Sequence, residues 1–371
     1  MPTQLYLRDP FGSLQTIISN FSRLEYGRAE NKVGFLTLDL DPNANPALLS
    51  LFRVDAILEP WRQVGANAPY LDGESVFFLR KKGRAIDGQG REVIRLTAYD
   101  ANYLLDGHNA AYSAGAAQVT KASVALDNMM KAAVRENLGA LATDTTRDLS
   151  ARLTVQADLT LAPTSNKDFS RRQILTTLQE MANDSLQKGT YLAFDVVYVS
   201  PGVLEFRTYT GQRGVNHGRT SGNQVLISRE RKNFELPELI EDHTEEYNYI
   251  YAGGQGVGSD RVICTATNAA AVGLSPWNRR EKFIDARNTA TTASVQAEAD
   301  AGLQANRARK TLTGEIIDTA GCLDGVHYRW GDVVYAEAWG DGFDAHLNAL
   351  HVTIENGRET RVNQIRGEAV V

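Results

Sequence analysis

Residues 247–267 read YNYIYAGGQGVGSDRVICTAT, and no other stretch limits the possible fold as sharply. Tyr247, Tyr249 and Tyr251 fall on one side of an extended run, with Asn248, Ile250 and Ala252 on the other. That is the period-two alternation of a β-strand. A second run over residues 261–267 puts Val262, Cys264 and Ala266 on one side. Gly253, Gly254, Gly256 and Gly258 lie between the runs, so the pair is predicted to be a long-looped hairpin. WNRREKFIDARNT follows, then an alanine-rich helical stretch over 290–308, and the chain returns to strand in YRWGDVVYA. There Gly331-Asp332 reads as a turn, with glycine supplying positive φ and the aspartate bonding nearby backbone.

The same punctuation runs through residues 1–106. Seven short strand-like runs are separated by turns such as DPFG at 9–12 and DGQG at 87–90, which predicts a barrel or sandwich. Residues 107–222 change character. Helical spacing over 123–137 and 170–188, with Gly139 and Gly189 as stops, precedes a hairpin over 191–199 and 203–209. Residues 223–371 return to strands, and Asn356-Gly357 is a strong hairpin signal. The expected architecture is mainly β with an α+β insertion. Two β-barrel-like domains, 1–106 and 223–371, flank an α+β domain over 107–222.

Composition removes several function classes. With 39 Lys+Arg against 45 Asp+Glu the net charge is −6, which argues against a general binder of nucleic acid or anionic membrane. No apolar run reaches the roughly 18–20 residues a bilayer demands. The start, MPTQLYLRDP, lacks a basic region followed by an apolar core, so synthesis and folding in a cytoplasm without a signal peptide are expected. Cys264 and Cys322 read as buried free thiols.

Candidate chemistry is sparse. Gly254, Gly256 and Gly258 resemble half of a dinucleotide fingerprint, but a strand follows them where a helix N-terminus would have to face the phosphates. Asp344, His346 and His351 fall short of a zinc ligand set. Glu241-Asp242 and Glu245-Glu246 sit in ELIEDHTEEY, a run expected to face solvent rather than to hold one carboxyl in an apolar pocket. Arg279, Arg280 and Lys282 form a small basic cluster, a candidate assembly contact. No catalytic residue, cofactor or metal is predicted.

The ordered set of motifs resembles a known family. A DPFG hairpin, the strand-to-helix exit LTAYDANYLLDGH, the glycine-rich hairpin, RREKFIDAR, a helix and then aromatic-Gly-Asp-Val are similar to the hub proteins of phage tail tips. The resemblance implies a non-enzymatic structural protein of the virion tail tip and a homotrimer. Two barrel-like domains per chain would give six similar units, matching a sixfold tube to a threefold tip. The implied partners are the tail tube or a distal tail protein above, the tape measure protein, and a receptor-binding fibre or spike below, with DNA only in transit. Two other readings stand beside it. One is a receptor- or carbohydrate-binding tip module presenting Trp61, Tyr70, Trp277, Trp330 or Trp339; the other is a cell-wall hydrolase.

Overall fold

Alternation in Arg23–Ala29 and Phe35–Leu40 sends Leu24, Tyr26, Leu36 and Leu38 to one side, where all four are fully buried. The strands pair antiparallel with Leu24 opposite Leu38 and Tyr26 opposite Leu36, so one register buries both apolar sets. This pair lies at the middle of a 15-stranded sheet in the computed structural model, which describes residues 3–43, 45–112, 118–287, 289, 291–355 and 357–370. From one edge the order is Phe234–Asp242, Arg309–Ile316, Arg358–Val370, Asp341–Glu355, Arg23–Ala29, Phe35–Leu40, Glu92–Asp100, Phe77–Ile86, Ile57–Arg62, Thr3–Arg8 and Leu14–Ile18. Every neighbour pair along this path is antiparallel.

Asp341–Glu355 is the strand that knits the sheet together. Its 15 residues reach about 50 Å at the usual rise per residue. The first part pairs with Val333–Ala338, with Ala336 opposite Phe343. The last part pairs with Arg23–Ala29, with Val352 opposite Tyr26. Its other edge pairs with Arg358–Val370, and a register shift between Leu347 and Ala349 marks the changeover. Glu355 stands opposite Arg358 across a hairpin in which Gly357 has φ +74°; Asn356 lies outside the described residues.

The expected pair of closed barrels does not form. Among the described residues the strands make four sheets, all open. Closure would require the two end strands, Phe234–Asp242 and Leu14–Ile18, to pair with each other, yet each has one strand neighbour only. Arg23–Ala29 gives its second edge to Asp341–Glu355, so strands from the first hundred residues and from the last hundred share one sheet. Each half keeps its own apolar core. Leu5, Leu38, Leu58, Phe77 and Leu96 fill one, joined by Leu350 and Val352 of the long strand; Ile227, Leu312, Val334, Phe343 and Ile365 fill the other.

Between them sits an α+β unit. Helices Leu126–Leu138 and Ile174–Gln187 pack Met129, Met130, Val134, Leu178 and Met181 against Phe194 and Phe206 of the paired strands Leu192–Ser200 and Val203–Thr210. Both helices start later than their apolar spacing suggests. Val119–Ala125 and Thr164–Phe169 pair as strands instead, which commits Ser123 and Ser170 to extended or turn backbone before helix can begin. A buried Asp127–Lys131 pair ties the first helix to the loop that follows it. Lys131 donates to the Ala157 carbonyl at 3.0 Å, and Asp127 accepts from the Leu161 and Ala162 amides at 3.2 Å.

The hairpin of residues 247–267 belongs to a separate three-stranded sheet. Tyr249–Gly253 pairs antiparallel with Ile263–Thr267 and parallel with Glu281–Asp285. Helix Thr292–Ala305 covers one side, packing Val295 and Ala299 against Ile250, Ala252, Cys264 and Ala266. The Thr291 hydroxyl caps this helix by accepting from the Ser294 amide.

Candidate assembly interface

The glycine turn is fixed by close approach. A Cβ on Gly254 would lie 2.4 Å from Val295, so only glycine lets the helix pack this near the strand. Gly253 ends its strand, Gly256 is at φ +116°, and Gly258 opens a short 3-10 turn that leads back into strand. No helix N-terminus follows the glycines. The Arg261 guanidinium closes the turn instead, donating to the Gly254 and Gly253 carbonyls at 3.0 and 2.9 Å and to Asp285 at 2.6 Å.

The three basic residues of the RREK segment separate. Arg279 lies 4.0 Å over the Tyr249 ring, pairs with Glu281 at 2.6 Å and reaches the Tyr251 hydroxyl at 3.3 Å. Arg280 donates to the His243 and Thr244 carbonyls at 3.0 and 2.6 Å, which fixes the connection from the acidic strand Phe234–Asp242. Lys282 donates to Asn306 at 2.9 Å, just past the covering helix. Arg280 and Lys282 both lie 5.2 Å from the Tyr247 ring centre, so Arg279 alone faces the two following tyrosines.

Gly331 and Asp332 sit elsewhere, at the joint between the large sheet and the α+β unit. Asp332 is buried and accepts from the Val215 amide at 2.6 Å and the Arg329 amide at 2.7 Å. Burial pushes its carboxyl above the usual range against those two bonds. Gly331 has φ +83°, and any side chain there would meet Arg213.

Arg213 belongs to a buried ionic joint that carries no signature in the sequence. It pairs with Asp195 and lies between the rings of Tyr209 and Trp330, 5.1 and 5.2 Å from their centres. Arg28 of the central strand pairs with the same Asp195 at 2.6 Å and with Asp100 at 3.0 Å, and donates to the Gly73 carbonyl. Burial alone would push the Asp195 carboxyl up; the Arg28 and Arg213 guanidiniums overcome it and hold the group below the usual carboxylate range. Beside them Tyr191 donates to Glu30 at 2.6 Å and stacks on His346 at 4.5 Å.

A second buried network joins the two halves of the large sheet. Arg361 makes paired 2.7 Å bonds to both oxygens of Asp72 and also pairs with Asp324, while Asn363 donates to Asp324 at 2.8 Å. Arg62 reaches Glu359 at 3.0 Å. Such forks hold two surfaces in one orientation. They tie the two halves together, and no group of three or more potential metal ligands occurs among the described residues.

The family model described as Siphovirus ReqiPepy6 Gp37-like protein matches residues 4–368. The chain belongs to that family. No curated protein matches it. Solved structures show how far the fold extends within phage tail proteins. A tail protein from Neisseria meningitidis MC58 is 12% identical with a TM-score of 0.55, over 100% of this chain and 97% of that one. The 43 kDa tail protein of prophage MuSo2 from Shewanella oneidensis is 10% identical with a TM-score of 0.57, covering 98% of each chain. Prophage tail protein gp18 from Listeria monocytogenes EGD-e is 12% identical with a TM-score of 0.54, over 98% of this chain and 94% of that one. This member of the Gp37-like family therefore has the fold of phage tail proteins along its whole length. None of its helices among the described residues is long and apolar enough to cross a membrane.

Proposed function

We propose that the chain is the structural hub of a phage tail tip, working as a homotrimer. Three copies form a ring in which each chain contributes two sheet halves, so that six similar segments meet a sixfold tube on one side and a threefold fibre or spike on the other. The tube or a distal tail protein lies above, the end of the tape measure protein is held within, and DNA passes through without specific contacts. The role is mechanical rather than enzymatic.

One observation carries this reading: two separately packed halves are welded by the single strand Asp341–Glu355 and locked by the Arg361–Asp72–Asp324 network. Two tied halves in each of three copies are what matching a sixfold tube to a threefold tip needs. Whole-length likeness to prophage tail proteins supports it. Antibody–gold labelling of the native particle tests it. Label confined to the tip distal to the tube agrees, whereas label on the capsid or spread along the tube does not.

A further inference from the structure

The small sheet of residues 249–285 has two unlike sides. Helix Thr292–Ala305 covers one. Across the other, the strand register aligns Thr267, Tyr249 and Glu281, then Thr265, Tyr251 and Phe283, then Ile263, Gly253 and Asp285. A sheet side that stays in water carries polar residues outward. Here Phe283 is 52% and Ile263 49% exposed beside the two tyrosines. Glu281 holds Arg279 over Tyr249, and Asp285 holds Arg261 over Phe283 and pairs with Arg287 as well. Tyrosine, phenylalanine and positioned arginine are the residues enriched at the centres of protein interfaces. A guanidinium already occupies the Tyr249 ring at 4.0 Å, where a sugar would stack, so this face suits a protein surface rather than a glycan.

The chain itself carries a surface of complementary chemistry. Strand Phe234–Asp242 is a free edge of the large sheet. It exposes Leu236 at 74% and Ile240 at 46% among Glu235, Glu238, Glu241 and Asp242. Among the described residues Glu235 and Glu238 form no ion pair, and Glu241 pairs only with His243. The register breaks between Glu235 and Glu238, and Pro237 has no amide hydrogen to donate. This edge is thereby blunted against strand addition and presents side chains instead.

We propose that the tyrosine–guanidinium face around Tyr249, Tyr251, Arg279 and Phe283 takes the acidic strand Phe234–Asp242 of a second copy. The inference rests on the ring reading above and names the surfaces that close the ring. A contact between two different patches, repeated head to tail, closes into a cycle when the rotation between copies is a whole fraction of a turn, here one third.

Sedimentation of the full chain over a concentration series tests it, with Arg279→Glu/Arg287→Glu and Glu235→Arg/Glu238→Arg as paired reversals. Each reversal weakens assembly about tenfold or more, and the chain bearing all four substitutions regains assembly, because attraction is restored with the signs exchanged. Matching melting temperatures separate lost contact from lost folding. Raising ionic strength from about 0.05 to about 0.5 M also weakens wild-type assembly. Reversal variants that assemble as well as wild type, a folded fourfold variant that stays apart, or assembly indifferent to salt would overturn the inference and leave the ring standing. A wild-type chain that stays monomeric at every concentration, even under chemical cross-linking, would remove both.

Discussion

Arg28 donates to Asp195 across 2.6 Å, joining the central strand of the large sheet to the α+β unit although the two residues are 167 positions apart. Both side chains are almost wholly buried, and Arg213 approaches the same carboxylate from the opposite side. Asp195 therefore stands between two buried guanidiniums, each with a further acidic partner, Asp100 at 3.0 Å for Arg28 and Glu74 at 3.2 Å for Arg213.

Removing that carboxylate leaves two buried guanidiniums with one acidic partner each, Asp100 for Arg28 and the more exposed Glu74 for Arg213. Asp195→Ala is expected to cost about 3–5 kcal/mol, the loss typical of breaking a buried pair from one side. Urea unfolding followed by tryptophan fluorescence measures it directly, because Trp330 lies 5.2 Å from Arg213 and 5.8 Å from Arg28. A loss below about 1 kcal/mol would show that the joint is held by apolar packing rather than by charge.

The joint also sets a pH dependence. Burial lowers the His346 imidazole below its ordinary value, against the opposing pull of Asp344. A histidine with a depressed folded value contributes stability that is present above its unfolded value, about 6.5, and is lost as pH falls from there through the lowered one. Thermal melts of wild type and His346→Phe between neutral and mildly acidic pH should therefore diverge, with wild type losing more on acidification. Parallel curves would mean that His346 does not titrate differently on unfolding.

Two turns approach closely at a pair of glycines, and Arg152 donates to a carbonyl of each turn. Gly12 and Gly202 have φ of +96° and +71°, and a Cβ on either would lie within 2.6 Å of the other turn's backbone. Gly12→Ala or Gly202→Ala should each cost about 1–3 kcal/mol. The double variant should cost less than the sum, since either change already separates the turns. Strict additivity would place the two effects in local backbone strain and not in their contact.

Neither thiol should react while the chain is folded. Cys264 and Cys322 are buried and unpaired, and burial pushes the Cys322 thiol up to about 11. A maleimide or aromatic disulfide reagent should label both only after denaturant is added. Fast labelling of the native protein would place one of them in a locally opening segment.

How much of this was legible beforehand depended on the range of the signal. The 247–267 hairpin follows from alternation and glycine spacing because strand, turn and strand are local. The α+β unit was visible for the same reason, although its helices begin where strand pairing between 119–125 and 164–169 ends, and that pairing leaves no periodic mark. Sheet closure is not legible in the sequence. Seven short strands fit a barrel equally well whether the last edge returns to the first or, as with Arg23–Ala29, is taken by a strand some three hundred residues later. Of the singled-out residues, Arg279 lies over the half-buried Tyr249 and pairs with Glu281, whereas Arg280 and Lys282 bind the His243 and Thr244 carbonyls and Asn306. Nothing in the sequence marks the buried arginines 28, 213 and 361, because their partners share no regular spacing with them.

Counting copies in the native particle tests the hub reading most directly. Cryo-electron microscopy of purified tails should show three copies of this 40.7 kDa chain per tail, coaxial with the tube and at its distal end. Six copies repeated along the tube, or none in the tail at all, would contradict it.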